Sequence, residues 1–335
     1  MNVKTKAEFI SAFLFCVILY LGDFMYNPFP HSLDNKRYQT WNYYLQTTFH
    51  QKVAKVPINA YFTCPNRDGT KGIGGCSFCS GQGSGDFPID PAKDLLLQFE
   101  QRKQVMENKW PNCAKMVYFQ AYTNTYAPLE TLKKMYQPFI EKEDVIGICI
   151  GTRSDCLSQE CIDYLQEITK TKEVWIELGL QTIHDTTAKQ INRCSTYQEF
   201  YDTVLKLAKT DIKVCVHIIN GLPNETKEMM LETVKTLANL PIHALKIHML
   251  HIIEGSSMAK EYQANPWPLL TLEEYIDIVV DQLEYLPQHM ILQRLTGDGM
   301  EDILLAPMWT KKKTIVLNEI DKEMVRRDTY QGKKV

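Results

Sequence analysis

"CPNRDGTKGIGGCSFC", residues 64–79, gathers three cysteines: Cys64, eleven residues, Cys76, two residues, Cys79. Glycines at 69, 72, 74 and 75 occupy the long interval. Such glycines let a loop adopt positive φ and pass close to a bulky group. Its exposed amides can also donate to anionic sulfurs. Two centres suit three thiolates. Zinc takes four ligands in structural sites, or three and an open position in catalytic ones. A cubane iron–sulfur cluster ordinarily takes four, so three leave one iron free to bind a further molecule. On spacing alone both readings stand, the zinc one requiring a distant fourth ligand.

The flanks decide the fold. The loop directly follows "VPINAYF" (56–62), the first of six apolar, β-rich runs. The others are "MVYFQAY" (116–122), "IGICIGT" (146–152), "VWIELGLQT" (174–182), "KVCVHIING" (213–221) and "LKIHMLHII" (245–253). Between them, residues 91–108, 129–142, 159–170, 197–209 and 225–239 carry apolar residues at helical spacing. Ser158 and Thr196 suit N-caps, and Pro91 and Pro128 suit helix starts. Alternation of this kind predicts an α/β fold, a parallel sheet wound by helices as an open sheet or a barrel. Unbroken apolar strands fit a sheet covered on both faces. Active residues then gather at the C-terminal strand ends, where the cysteine loop lies. Residues 265–335 add a helix, a strand "MILQRL" and a charged tail.

Composition is that of an ordinary globular chain: 335 residues, 44% hydrophobic, 23% charged, net charge −3. The overall charge argues for no polyanionic partner. Ten cysteines with a single CxxC pair read as a reducing, cytoplasmic setting, most thiols serving as small buried hydrophobes. The cysteines at 16, 113, 149, 156, 161, 194 and 215 form no second cluster motif. The N-terminus carries an apolar run from Phe9 to Leu21, 13 residues broken only by Ser11. A spanning helix needs about 20, and no small-x-small cleavage site follows. We read residues 1–24 as an extension upstream of a start at Met25, with a membrane anchor or signal peptide as the alternatives.

Further motifs are "GSGDF" (83–87), "QAYTNTYAPLETL" (120–132), "GTRSDCL" (151–157), "ELGLQTIHDTTAKQINR" (177–193), "NGLPNET" (220–226) and "QRLTGDG" (293–299). With the cysteine loop and the tail from Ala306, they make the chain resemble a radical S-adenosylmethionine (SAM) enzyme. The resemblance is to the YtqA/YhcC branch, related to the radical-SAM domain of the Elongator catalytic subunit. It implies a partial (β/α)6 radical-SAM barrel with a small C-terminal extension. Its divisions would be an N-terminal extension (1–24), a basic and aromatic arm (25–55), a core (56–260) and the extension (261–335). It also implies a [4Fe-4S] cluster on Cys64, Cys76 and Cys79, with SAM as the missing fourth ligand. Reductive SAM cleavage would then give a 5′-deoxyadenosyl radical that removes a hydrogen atom from a substrate.

The resemblance implies roles at the strand ends. Phe78 packs near the adenine. Gln120, Tyr122 and Thr123 belong to the stretch that receives the methionine amino group. Arg153 meets the SAM carboxylate and Asp155 an amine, unless the two only pair with each other. Glu177 and Gln181 flank the ribose, unless Glu177 is a structural partner. Three departures stand out: Asn224 where glycine is usual, Cys194–Ser195 where glycine or alanine and histidine are usual, and Ser154 in place of proline.

The branch also suggests tRNA as the substrate, modified at the 5-substituent of a wobble uridine, for example carboxymethylaminomethyl to aminomethyl. The electron donor would be a carrier such as flavodoxin or ferredoxin. Two basic segments suit phosphate contact and base stacking. One holds Lys36, Arg37, Lys52 and Lys55 among Tyr38, Trp41, Tyr43 and Tyr44; the other holds Lys311, Lys312, Lys313, Arg326, Arg327, Lys333 and Lys334. A solvated face with interleaved core aromatics explains them equally well.

Overall fold

In the computed structural model, the described residues are 29–34, 36–81, 83, 94–297 and 302–335. The apolar run before Met25, the helix start at Pro91 and most of "GSGDF" lie outside them.

Alternation along the strands puts one set of side chains on each face of the sheet. In β4 (Glu173–Gln181), Val174, Ile176 and Leu178 point outward into the main core. Trp175 points inward with Met116, Cys149, Cys215 and Ala244. Both faces are buried, which explains the continuous apolar runs. The other strands of this sheet are β1 (Val53–Ile58), β2 (Ala114–Phe119), β3 (Val145–Thr152), β5 (Lys213–Asn220), β6 (Ala244–Met249) and β8 (Ile291–Arg294). They form one seven-stranded sheet in that spatial order, every pairing parallel. It curls into a half-barrel. The six strand candidates are all present, and "MILQRL" adds the seventh edge. The first strand starts at Val53 and not at residue 56, so Lys55 belongs to the barrel.

Helices cover the outer face: α2 (Leu95–Lys109), α3 (Leu129–Ile140), α4 (Gln159–Thr169), α5 (Asp185–Gln190), α6 (Tyr197–Leu207) and α7 (Lys227–Ala238). Ser158 caps α4, and Thr196 caps α6 through a reciprocal capping box with Glu199. Pro128 stands just before α3. After β6 come the short strands β7 (Ile252–Ile253) and β9 (Leu304–Ala306), an antiparallel pair, with α8 (Ser257–Ala264), α9 (Leu272–Glu284) and α10 (Lys313–Arg326). No helix among the described residues is long and apolar enough to cross a membrane.

The remaining helix, α1 (Trp41–Phe49), touches both edge strands, β1 and β8. Its Trp41, Tyr44, Leu45 and Phe49 fill the inner face at the base of the sheet. The segment expected to be a basic and aromatic arm therefore packs one face against the base of the sheet. Tyr38 is buried, and Lys36 and Arg37 form ion pairs with Asp321 and Asp328. Tyr44 donates to Glu173, and Tyr43 to the Pro30 carbonyl. Lys52 lies over the Trp110 ring, and Lys55 enters the barrel to meet Glu177. Each of these side chains has a partner within the protein. Much of the tail is paired too: Arg326 with Glu323, Arg327 with Asp277 and Asp281, Lys334 with Glu284.

Candidate functional site

The C-terminal ends of β1 to β5 surround one cavity. Cys64, Cys76 and Cys79 line it on one side, with Phe78 between the last two. Gln120, Tyr122 and Thr123 line it after β2, Arg153 after β3, and Glu177 and Gln181 on β4. Of the expected site residues, only Asp155 stands outside the lining.

Backbone strain marks the rim. Ala121 and Tyr122 are consecutive left-handed residues (φ 65° and 59°), and Gln181 is left-handed at φ 63°. Such conformations cost energy for non-glycine residues and persist only where surrounding structure enforces them. Here the Tyr122 amide donates to the Gly83 carbonyl at 3.1 Å, and the Thr123 amide to Thr63 at 3.1 Å. The Tyr122 hydroxyl donates to the Gly81 carbonyl at 2.6 Å, and a Cβ on Gly83 would strike the Tyr122 ring at 2.7 Å. The strained turn after β2 thus grips the segment that leaves the cysteine loop. Gln120 is buried, and its Nε2 has no hydrogen-bond partner. A buried donor left unmade is expensive, so one facing a cavity points to an acceptor on a bound molecule.

Two of the departures from the family pattern, Asn224 and Cys194, share a backbone feature. Asn224 has φ 64° and Cys194 φ 54°, the region glycine favours. Asparagine is among the residues that tolerate it best. Cys194 is held there by its neighbours, since its carbonyl accepts from Arg153 at 3.2 Å.

Arg153 binds Asp155 through two parallel bonds of 2.9 Å, and its Nη1 donates to the Arg193 carbonyl at 2.8 Å. With the bond to Cys194, four of five guanidinium N–H groups are used, leaving one for a ligand. Lys71 closes Asp155 from the other side at 2.6 Å. Burial opposes the Asp155 charge, but Arg153 and Lys71 outweigh it and hold its carboxyl below the usual range. Asp155 thus orients Arg153, and the amine it meets is that of Lys71. Arg193, which sequence reasoning passed over, is buried and donates to the carbonyls of Leu180, Thr182 and Ser195.

Around the thiols, burial and the neighbouring Cys79 and Cys64 push the Cys76 thiol up to about 12. The Cys76 thiol therefore resists ionising unless a positive centre stands beside it. The Asn66 amide nitrogen is 3.6 Å from Cys76 Sγ, and the Arg67 guanidinium lies at 5.4 Å from the Tyr122 ring. Among the described residues no three His, Cys, Asp or Glu side chains converge on a single ion. The thiols surround part of a space instead.

Below the cavity, Glu177 is fully engaged inside the barrel. Lys55 reaches it at 2.6 Å, His217 at 3.0 Å and Lys246 at 2.5 Å. Burial opposes its charge, yet Lys246 and Lys55 hold its carboxyl well below the usual range. Burial, then Lys246, push His217 down to about 4. Glu177 thus both lines the cavity and is the anion of a buried charge cluster. A signal existed in the lysines of "VAKVPI" and "ALKIHM" and the histidine of "VCVHIIN", polar residues at inward positions of otherwise apolar strands.

The comparisons with known proteins fit this geometry. The chain belongs to the radical SAM superfamily: the model of that description matches residues 59–237, and the Radical_SAM C-terminal domain matches 242–326. It is 46% identical over 307 residues to YtqA of Bacillus subtilis, spanning 92% of this chain and 95% of YtqA. It is 34% identical over 281 residues to YhcC of Escherichia coli, spanning 83% and 89%. More distantly, it is 23% identical over 160 residues to the tRNA uridine(34) acetyltransferase of Methanocaldococcus infernus, 47% of this chain but 29% of that protein. The solved structure of the archaeal Methanocaldococcus infernus Elp3 aligns with TM-score 0.61 at 16% identity, covering 84% of this chain and 64% of that one. The chain is thus similar in fold to part of a longer protein. The family uses a [4Fe-4S] cluster and SAM, and this chain is a radical SAM enzyme.

Proposed function

We propose that this radical SAM enzyme holds its cluster on Cys64, Cys76 and Cys79 and acts, in the cytoplasm, on a 5-substituted uridine at the wobble position of tRNA. The observation that carries the cofactor site is the rim cavity, where three thiols meet the unpartnered Gln120 donor and the last free N–H of Arg153. These residues fit the cofactors: thiolates for iron, a guanidinium for a carboxylate, Phe78 for an apolar ring face. When bound, the cluster and SAM supply one-electron chemistry and a radical that abstracts hydrogen. The chain's part is to orient and enclose them. Arg153 is aimed by Asp155, Tyr122 is locked over the cysteine-loop exit, and Gln120 offers an amide to the ligand.

The tRNA reading draws on the relatives whose names carry tRNA uridine(34), a 23% likeness. Carboxymethylaminomethyl to aminomethyl is the conversion we favour, with flavodoxin or ferredoxin as the class of electron donor. The contact surface on this reading is Lys311, Lys312 and Lys313, of which Lys312 and Lys313 are exposed. Replacing all three by alanine is expected to weaken tRNA binding and lower its salt slope, by about one unit or slightly less per lost phosphate contact. SAM cleavage without tRNA should persist. Nucleoside analysis of tRNA from a deletion strain decides the substrate: unchanged wobble uridines, with no tRNA binding at low salt, would sink this assignment.

A further inference from the structure

The cysteine loop does not hold Cys76 by itself. Asn66 is completely buried beneath it. Its Nδ2 donates to the Asn192 carbonyl at 2.5 Å and stands 3.6 Å from Cys76 Sγ, within reach of an N–H···S bond. An amide nitrogen carries two hydrogens, so both are committed. The amide oxygen, by contrast, is buried and has no hydrogen-bond partner. It faces Gly72, where a Cβ would stand 2.2 Å away. A buried acceptor left unmade costs stability, so this orientation is held by what the nitrogen gains. The backbone tightens the same knot. The Asn66 carbonyl accepts from the Gly75 amide at 2.7 Å, Asn192 Nδ2 donates to the Gly75 carbonyl at 2.8 Å, and the Ser77 amide donates to Ile191 at 2.9 Å.

We propose that Asn66 is the positioning residue of the Cys76 sulfur, and that its N–H···S bond raises the reduction potential of the cluster. The proposal rests on the reading that Cys64, Cys76 and Cys79 carry that cluster. Reduction adds negative charge to the cluster and its sulfurs, and a donated hydrogen stabilises that charge. Removing it disfavours the reduced form.

Two variants test this in the reconstituted full chain without substrate. Asn66→Leu keeps the volume and removes the donor; Asn66→Asp keeps the shape and places an acceptor against the sulfur. Iron-replete variants should show a midpoint potential shifted to more negative values in an EPR-monitored titration, Asn66→Asp the further of the two. Unchanged potentials in iron-replete variants would overturn the proposal. Should the variants load no iron, wild-type protein carrying amide-15N asparagine decides it. A 15N coupling to the reduced cluster in pulsed EPR supports the bond, and no such coupling overturns it. A single Cys→Ala variant that keeps the full cluster would instead bring down the ligand reading itself.

Discussion

The two ends of the same strands obey opposite rules. At the base, the polar groups around Trp175 are paired. Its Nε1 donates to Glu173 at 2.8 Å, and Lys213 meets Glu173 at 3.0 Å. The Trp41 and Tyr44 rings stand edge-on to Trp175 at 5.0 and 5.6 Å. At the rim, β4 ends in the left-handed Gln181, while Gln120 Nε2 is buried without a partner. Between the ends lies the charged layer of Lys55, Glu177, Lys246 and His217. Paired polar groups contribute stability, whereas unpaired ones and strained backbone cost it and are retained where a ligand completes them. The base holds the fold together; the rim is left unfinished for its cofactors.

The sharpest way to break this contrast is at the rim. Replacing Cys64, Cys76 or Cys79 by alanine should abolish the cluster's absorption and SAM cleavage. The urea midpoint of the metal-free protein should stay near that of wild type. A variant retaining stoichiometric iron would show that the rim thiols are not the ligands.

The middle layer should behave as structure. Glu177→Gln strands Lys55 and Lys246 without their carboxylate, and breaking a buried pair costs about 3–5 kcal/mol. Urea unfolding of the metal-free protein reads that loss directly. A change under about 1 kcal/mol would mean the layer is not the stabilising element claimed for it.

Acid should sharpen the same point. His217 titrates at about 4 in the native chain against 6.5 ordinarily. Below pH 6.5 the unfolded chain therefore takes up a proton that the native state refuses. Stability falls as pH falls from about 6.5 to about 4, by at most about 3 kcal/mol for this one group. Glu177, whose native carboxyl is depressed, acts in the same direction at lower pH: its contribution is present above the ordinary carboxyl range and lost as pH falls through its native value. Urea curves at pH 7.5 and 5 should diverge in wild type and diverge less in His217→Gln, where His248 and His243, also held down by burial, account for what remains. Parallel curves in both would refute the assignment.

The smallest effect is expected at the base. The Tyr44 hydroxyl donates to Glu173 and accepts from Lys213 at 2.6 Å. Tyr44→Phe should cost about 1–2 kcal/mol of stability and leave iron content and SAM cleavage untouched. Loss of cluster in that variant would mean that base and rim are not separable.

Much of this was legible before any fold was known. The six strand runs, the N-caps at Ser158 and Thr196, and the thiol loop after the first strand are local signals. So was the set of rim residues, because a parallel sheet delivers its strand ends to one side. Less legible was what each side chain would touch. Asp155 and Arg153 are two residues apart, yet their mutual bond excludes Asp155 from the cavity. Asn66 sits in the quoted motif, but its partners Cys76 and Asn192 lie 10 and 126 residues away along the chain.

By itself, then, the sequence determined an alternating α/β chain with a three-thiol loop at its first strand end; the class of cofactor came from the resemblance its motifs carry. Periodicity, capping and spacing are properties of a few neighbouring residues, so they survive without three-dimensional context. Only the tertiary structure decided that Lys55, Trp41 and Tyr44 belong to the barrel interior and not to a basic arm. Lys55 and Glu177 are 122 residues apart and Tyr44 and Glu173 129. Such partners meet only because the parallel register of three intervening pairings curls the sheet and α1 bridges its edge strands.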